Sequence, residues 1–329
     1  AVRHVTIGRD ADAVTLTRFA ALPELLREGD LVVVNDAATL PGSLRGVTLG
    51  GIPFELRLSG PPEMEPGPTG GGDGSRLAGV VLGAGDHRTR TEHRAAPPVL
   101  AAGDRIRIAG LDATVAVAAG RRVELVVRAE PDALWQALYA YGRAVQYAHR
   151  PELLPLFAVQ TAYAARPWAA EMPSAGRPLT WDVLLGLRRR GIAIAQLTHA
   201  AGLSSTGDDA LDRALPWPER YEIPRRTLEA IDRAKQRAGR IVAVGTTVVR
   251  ALESAAQSGA STGIARLRLD PAYRPRVVDG LISGLHTPGE SHFELLQAFA
   301  PRDRLVHAIE VAATHGLSGH ELGDACLIL

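Results

Sequence analysis

The run Ile241-Val-Ala-Val-Gly-Thr-Thr-Val-Val-Arg-Ala-Leu-Glu253 constrains the fold of this chain more than any other. Its first four residues are apolar and mostly β-branched. They predict a short strand covered on both faces. Gly245 permits a tight turn, and Thr246 or Thr247 is the expected cap of the helix that follows. A strand that turns directly into a helix leaves backbone N–H groups and the positive end of a helix dipole facing a crevice. That is a place for a carboxylate, a phosphate or a polar ribose. Arg250 and Glu253 lie one and two turns inside, and reach the same mouth only if the helix tilts toward it. Most strand–glycine–helix turns in α/β proteins bind nothing, so the turn alone assigns no ligand.

At 329 residues the chain has room for one large or two ordinary domains. A net charge of +1 gives no global basic field. Lys235 is the only lysine. The arginine clusters Arg188-Arg189-Arg190, Arg225-Arg226 and Arg121-Arg122 read as solvated faces or helix ends unless the fold gathers them into a patch. Cys326 is the only cysteine, which excludes a disulfide within the monomer and points to a cytoplasmic protein. No apolar run reaches the length of a membrane span, and no secretory signal follows Ala1. The expected state is a monomer or small homo-oligomer away from membranes.

The first element read along the chain is a short helix from Leu22, followed by a buried strand Leu31–Val34 that ends in Asn35-Asp36. Residues 44–128 change character. Pro53–Leu58, Arg105–Ile108, Ala113–Ala118 and Val123–Val127 alternate in polarity between glycines and prolines, the pattern of a small antiparallel β domain. Glu65–Ser75 reads as a mobile Pro/Gly-rich loop and not a phosphate loop, because no Lys-Ser/Thr follows its glycines. Helix and strand then alternate. Helices are expected at Pro131–Leu138, Trp181–Arg190, Pro224–Ala238, Ser291–Phe299 (opened by a capping box) and Arg302–His315. Strands are expected at Ile192–Leu197, Ala265–Leu269, Gly280–Leu285 and Ala325–Leu329. The expected fold is therefore α/β: a mixed, mostly parallel sheet or barrel-like α/β domain (1–43 and 129–329) with an inserted small antiparallel β-barrel domain (44–128).

Several blocks then fall in a known order: Gly29-Asp-Leu-Val-Val-Val-Asn-Asp36, Val159-Gln-Thr-Ala-Tyr-Ala164, Pro173-Ser-Ala-Gly176, Val242–Ser254 around the Val-Gly-Thr-Thr core, Val277-Val-Asp-Gly-Leu-Ile282, His286-Thr-Pro288 and Gly323-Asp324. In these the chain resembles the S-adenosylmethionine:tRNA ribosyltransferase-isomerases of queuosine biosynthesis, from about Leu22 to its end. The resemblance implies a two-domain enzyme, a transferase and isomerase. It would move the ribosyl part of S-adenosylmethionine onto a 7-aminomethyl-7-deazaguanine in tRNA and rearrange it to the epoxycyclopentane of epoxyqueuosine. S-adenosylmethionine is thus the implied co-substrate, tRNA the implied partner, and no metal is expected.

The motifs depart from the family at named places. Ala175-Gly-Arg-Pro-Leu-Thr180 and Pro216-Trp-Pro-Glu219 each lack a family histidine. Asn35-Asp-Ala-Ala38 lacks an arginine. Leu197-Thr-His-Ala-Ala-Gly-Leu-Ser-Ser-Thr206 keeps His199 without its usual flanks, Gly284-Leu-His-Thr-Pro288 keeps its histidine in a changed setting, and the Tyr-Arg-Phe ahead of Gly323-Asp324 is absent. Two alternatives follow: a paralogue using the same donor on a small-molecule acceptor, or a non-catalytic nucleotide- or RNA-binding relative.

The implied chemistry needs a base beside the sulfonium, a hold on the ribose hydroxyls, and anionic or dipolar groups for the sulfonium and leaving adenine. His286 and His199 are the candidates for proton transfer. Asp324 is placed with them as catalytic. Asn35, Asp36 and Asp279 are expected to bind hydroxyls or the methionine ammonium, and Gly245, Thr246 and Thr247 to contact the donor. Arg250 would hold its carboxylate, with Glu253 holding Arg250 or bracing the helix. Other classes lack their signatures. His320-Glu-Leu-Gly-Asp324 has Asp where a zinc-protease helix needs its second histidine. Ser204-Ser205 has no nucleophile elbow, and no dinucleotide fingerprint follows a strand.

Overall fold

The computed structural model describes residues 2–8, 14–64, 74–319 and 322–329. The chain begins with β1 (Arg3–Ile7) and β2 (Val14–Arg18), then α1 (Leu22–Leu25), β3 (Leu31–Asn35) and β4 (Ala37–Thr39). Seven strands follow: β5 (Ser43–Thr48), β6 (Pro53–Leu58), β7 (Glu63–Met64), β8 (Ser75–Gly83), β9 (Arg105–Ile108), β10 (Leu111–Ala119) and β11 (Arg122–Val127). Next come α2 (Pro131–Tyr141), β12 (Arg166–Ala169), α3 (Trp181–Arg189), β13 (Ala193–His199), α4 (Asp209–Arg213), β14 (Glu219–Glu222) and α5 (Arg225–Gln236). The chain finishes with β15 (Ile241–Val244), α6 (Thr246–Ser258), β16 (Thr262–Ala265), β17 (Gly280–Gly284), α7 (Ser291–Leu296), α8 (Arg302–Thr314) and β18 (Ala325–Ile328).

Nine strands form one mixed sheet in the order β16-β14-β13-β3-β15-β17-β18-β1-β2. The four central strands β13, β3, β15 and β17 are parallel throughout; β14, β16 and β2 pair antiparallel on the flanks, and β18 lies antiparallel to β17 but parallel to β1. The period of two in β3 and β15 sorts the core. Leu31, Val33, Ile241 and Ala243 face α5, α6 and α8, whereas Val32, Val34, Val242 and Val244 face Leu22 of α1 and Leu184 and Leu187 of α3. Burial of both faces is why these strands read as unbroken apolar runs. The flanking strands β1 and β2 were not among the expected elements: Arg3–Ile7 alternates too weakly to be told from a loop. The strand expected at Ala265–Leu269 instead ends at Ala265, having begun at Thr262. The expected capping box also fails. Glu290, not Ser291, is the N-cap of α7, it makes no side-chain cap bond, and the helix stops at Leu296.

The second sheet, β11-β10-β9-β5-β6-β8, closes through a β11–β8 pairing into a six-stranded antiparallel barrel, with β7 as an added edge. Four of its strands were expected; β5 and β8 carry glycines that break the alternation. Leu44, Leu56, Leu58, Leu77, Leu125 and Val127 fill the interior, and Leu134 and Leu138 of α2 pack on the same core. The chain leaves the main sheet at the C-terminal end of β3, builds the barrel, and returns through β12, which pairs parallel with β4. The barrel is therefore tethered to the rim where the parallel strands end. Val80 and Leu82 of the barrel meet Leu203, Leu215 and Trp217 of the larger domain there. Most of Glu65–Ser75 lies outside the described residues, as do His320 and Glu321. Among the described residues no helix is long and apolar enough to cross a membrane, and no group of three or more His, Cys, Asp or Glu could hold a metal ion.

Candidate active site

The C-terminal ends of the parallel strands gather most of the expected site residues. Gly245 adopts φ +91°, a conformation that favours glycine, and turns β15 into α6. Its amide donates to the Ile282 carbonyl at 2.7 Å. Neither threonine caps the helix: Gly245 is the N-cap, and no side chain bonds the first turn. The amides of Thr246 and Thr247 consequently have no acceptor among the described residues. They head a helix of 13 residues, so the dipole and two open donors act at one place. Thr246 is buried and Thr247 half-buried.

Asn35 joins three strand ends. Its Nδ2 donates to the His199 carbonyl at 2.9 Å, its Oδ1 accepts from the His199 amide at 2.9 Å, and the Thr247 hydroxyl lies 3.5 Å from Nδ2. Its amide is thus spent on fixing β3 against β13. Asp36 differs. It is buried, its carboxylate accepts a 2.6 Å bond from the Thr198 hydroxyl, and no cation touches it among the described residues. Burial raises its pKa, an effect that the Thr198 bond and the more distant charges of Arg166 and Arg226 only partly offset. The Tyr163 hydroxyl shares this corner, and burial and the Asp36 charge push its pKa up. Tyr163 also explains Gly176, since a Cβ there would lie 2.1 Å from the tyrosine hydroxyl. Ala175 packs beside the Gly245 turn.

His286 follows β17 on the same rim. Its Nδ1 lies 3.1 Å from the Glu290 carboxylate, and its ring stacks on His292 at 4.7 Å between centroids. With Nδ1 donating to Glu290, Nε2 is the nitrogen left to accept a proton. His292 is half-buried; burial first, then the charge of His286, lowers its pKa to about 3, so it stays neutral.

Several expectations for single residues need correction. Arg250 does not reach the mouth of the turn. Its Nε donates to the Leu267 carbonyl at 3.1 Å, its Nη2 to the carbonyls of Trp217 and Ala265 at 3.1 and 2.9 Å, and its Nη1 to Glu219. A guanidinium so occupied, and buried, has little left for a ligand. Glu253 does not hold Arg250. It accepts from the Tyr273 hydroxyl and from the amides of Arg276, Val277 and Val278, and so braces the segment before β17. Asp279 caps the Ile241 amide at 2.9 Å from the opposite end of the sheet. That places it about a strand length, some 13 Å, from the Gly245 turn. Asp324 is on the correct rim, but it accepts from the Arg3 amide and guanidinium and the Ser318 amide, tying β1 to the last loop.

His199 ends β13 but does not open on the crevice. Its ring is fully buried, 3.6 Å from Glu219, and neither ring nitrogen has a hydrogen-bond partner among the described residues. Burial first, then the Arg250 charge, holds its pKa well below the ordinary value, so it is a neutral, sealed imidazole. Tyr163, Thr198, Glu219 and Glu290 belong to the surroundings of these groups, yet were not among the candidates. Tyr163, Thr198 and Glu219 sit inside the family-like blocks of the sequence, but only the fold shows what they face. A small cavity lined by Tyr147, Glu171, Met172 and Leu322 flanks this rim.

A mixed sheet with helices on both faces and an inserted six-stranded barrel defines an α/β protein whose parallel strands end at a rim with two open amides. The chain belongs to the family described as "Queuosine biosynthesis protein", which it matches over residues 1–328. It is 34% identical to the S-adenosylmethionine:tRNA ribosyltransferase-isomerase of Thermus thermophilus over 325 residues, 95% of this chain and 88% of that protein. It is 33% identical to the protein of the same name from a Synechococcus species, covering 99% of this chain and 89% of that one. The relatives' names make it an enzyme of the transferase–isomerase class. The crystal structure of S-adenosylmethionine tRNA ribosyltransferase from Thermotoga maritima matches with a TM-score of 0.52 at 22% identity, over all of this chain and 93% of that one. It shares the fold.

Proposed function

We propose that this chain transfers and isomerises the ribosyl moiety of S-adenosylmethionine onto a 7-aminomethyl-7-deazaguanine in tRNA, forming epoxyqueuosine at the carboxyl rim. One observation carries the reading: two open amides at a helix N-terminus stand on the same rim as a buried carboxylate that no cation touches among the described residues. The amides of Thr246 and Thr247 suit the carboxylate of the methionine part. Asp36 suits a cation, because a buried carboxylate without a contacting counter-ion is stabilised by one. The sulfonium or the ammonium of the donor fits that role. His286, with Nδ1 on Glu290, presents Nε2 to take the proton from the carbon next to the sulfonium, which positive sulfur acidifies. For the nucleic-acid acceptor, the half-buried Trp168 ring lies between Arg166, which is paired with Glu222, and the exposed Arg220, at 5.5 and 4.3 Å, a basic and aromatic edge close to Asp36. Metal is not expected, and a cytoplasmic location follows from a tRNA substrate.

The motif losses at Ala38, Pro178 and Trp217 favour a second reading, in which the same donor serves a small-molecule acceptor. One experiment separates the two. Purified protein is incubated with S-adenosylmethionine alone, then with tRNA carrying the aminomethyl precursor. Adenine and methionine released only with tRNA, together with the modified base, support the first reading. Release independent of tRNA supports the second, and failure to bind the donor in calorimetry overturns both.

A further inference from the structure

The alternation of β5 and β6 points Leu44, Leu56 and Leu58 into the barrel and Ser43, Arg45, Glu55 and Arg57 out of it. Outward charges of a small barrel ordinarily meet solvent. Here Arg57 and Glu55 are 1% and 6% exposed, covered by Arg94 and by the chain leaving α2. Beside them a cleft of about 370 Å³ opens between the barrel and the end of α2.

Its charge is one-sided. Glu55 is spent on Arg57, Arg94 and the Ser43 hydroxyl, and Asp86 accepts the Arg88 amide. Against those two carboxylates stand three lining guanidiniums, Arg45, Arg57 and Arg143, with Arg94 behind them on Glu55. Arg45 and Arg143 are exposed, line the cleft and have no side-chain partner among the described residues. Among the described residues Arg57 Nη1, at the floor, is buried without an acceptor, as is Arg94 Nε. A native protein seldom leaves such donors unpaired, and their field adds to that of the two open arginines. Tyr141 lines the same cleft. One edge of its ring rests 3.5 Å from the position a Cβ would take at Gly110, yet the residue is 65% exposed. An aromatic ring held at the edge of an arginine-lined cleft is the arrangement that binds unpaired nucleotides by stacking and phosphate contact.

We infer that this barrel cleft is a second docking point for the RNA acceptor, with Arg45 and Arg143 on a backbone phosphate and Tyr141 stacked on a neighbouring unpaired base. The assignment rests on the tRNA reading and places part of the RNA on the inserted barrel, apart from the rim that holds the donor. None of the three side chains belongs to the donor site.

The test measures binding of wild-type protein and variants to a stem–loop RNA across a salt series, with donor affinity measured in parallel. Arg45→Ala and Arg143→Ala should each weaken RNA binding several-fold and each lower the slope of log affinity against log salt by about one. Tyr141→Ala should weaken it roughly 5- to 100-fold with the slope unchanged, and Tyr141→Phe should restore it. S-adenosylmethionine affinity should stay at the wild-type value throughout, which also shows that the variants are folded. Wild-type RNA affinity and salt slope in all three alanine variants would overturn the cleft while leaving the tRNA reading intact. No RNA binding by the wild-type protein would overturn both.

Discussion

Asp30 and Asp36 bracket the same buried strand, and their surroundings are opposite. Asp30 sits before β3, receives both Nη2 and Nε of Arg240 at 2.6–3.2 Å, and accepts the amides of Arg27 and Arg240. Burial alone would raise its pKa, but these bonds together pull it below the ordinary value. Asp36 sits after β3 with one hydroxyl bond and, among the described residues, no cation in contact, and its pKa is raised. The contrast extends to the whole sheet. At the amino rim Asp279 caps Ile241, and the donors and acceptors named there are paired. At the carboxyl rim two helix amides and a carboxylate stand open. The satisfied groups at the amino rim hold the fold, and the two amides and Asp36 at the carboxyl rim are the groups that the proposed donor would complete.

The largest expected effect tests which side of this division Arg250 belongs to. Arg250→Met should cost about 3–5 kcal/mol of stability in urea unfolding, because it strands the buried Glu219 carboxylate and three backbone carbonyls. Donor affinity of the folded fraction should change little. Near-normal stability with donor binding abolished would return Arg250 to the ligand.

The two aspartates give the next contrast. Asp30→Asn should lose about 2–3 kcal/mol at neutral pH, since charge-assisted bonds to Arg240 and two amides are weakened together. Asp36→Asn should be near neutral or stabilising. The pH dependences should run in opposite directions. The contribution of Asp30 is full above its unfolded value near 3.8 and is lost as pH falls through its lower folded value. Asp36 binds its proton more tightly when folded, so its cost at neutral pH shrinks as pH falls through its raised value toward 3.8. Stability measured from pH 3 to 7 for both variants decides it. Parallel curves would break the comparison.

A smaller change probes the open rim directly. Thr246 is the first helical residue, where proline fits and no intrahelical bond is lost. Thr246→Pro should therefore leave stability within about 1 kcal/mol while deleting one open amide. Donor affinity should fall about tenfold, the worth of one charge-assisted bond. Unchanged affinity in calorimetry would move the donor carboxylate off this helix.

How much of this was readable in the chain depends on distance along it. The β15–Gly245–α6 turn is local, and its strand, its glycine and its helix stand where the residues place them. The alternating barrel strands and the inserted position of the barrel were also legible. The partners of Arg250 were not: Glu219 lies 31 residues away, and three of its bonds go to carbonyls, which carry no residue signature. Glu253 looked like a partner for Arg250 at helical spacing, but four donors of residues 273–278 reach it first. Asp279 was avoidable. It precedes its strand, whereas Asn35 and Asp36 follow theirs, and in a parallel sheet only the trailing ends share a crevice. The barrel cleft was hidden because Glu55 and Arg57 read as ordinary outward residues until the chain after α2 covers them.

The smallest effect lies at the closed rim and asks whether that end is purely structural. Ala238 follows α5 at φ +53°, a left-handed position that closes the helix and leads into β15. Its amide bonds the Lys235 carbonyl, and the next amide bonds Ala234, the arrangement that normally takes glycine. Ala238 is exposed, so its methyl contributes no core packing. Ala238→Gly should relieve the steric strain and stabilise the protein by about 0.5–1 kcal/mol. Because the change sits a full strand length from Thr246, donor affinity and turnover should stay at the wild-type values. A gain in stability accompanied by a loss of turnover would show that the closed rim must yield for the open one to work, and the division drawn along β3 would then be between two coupled ends.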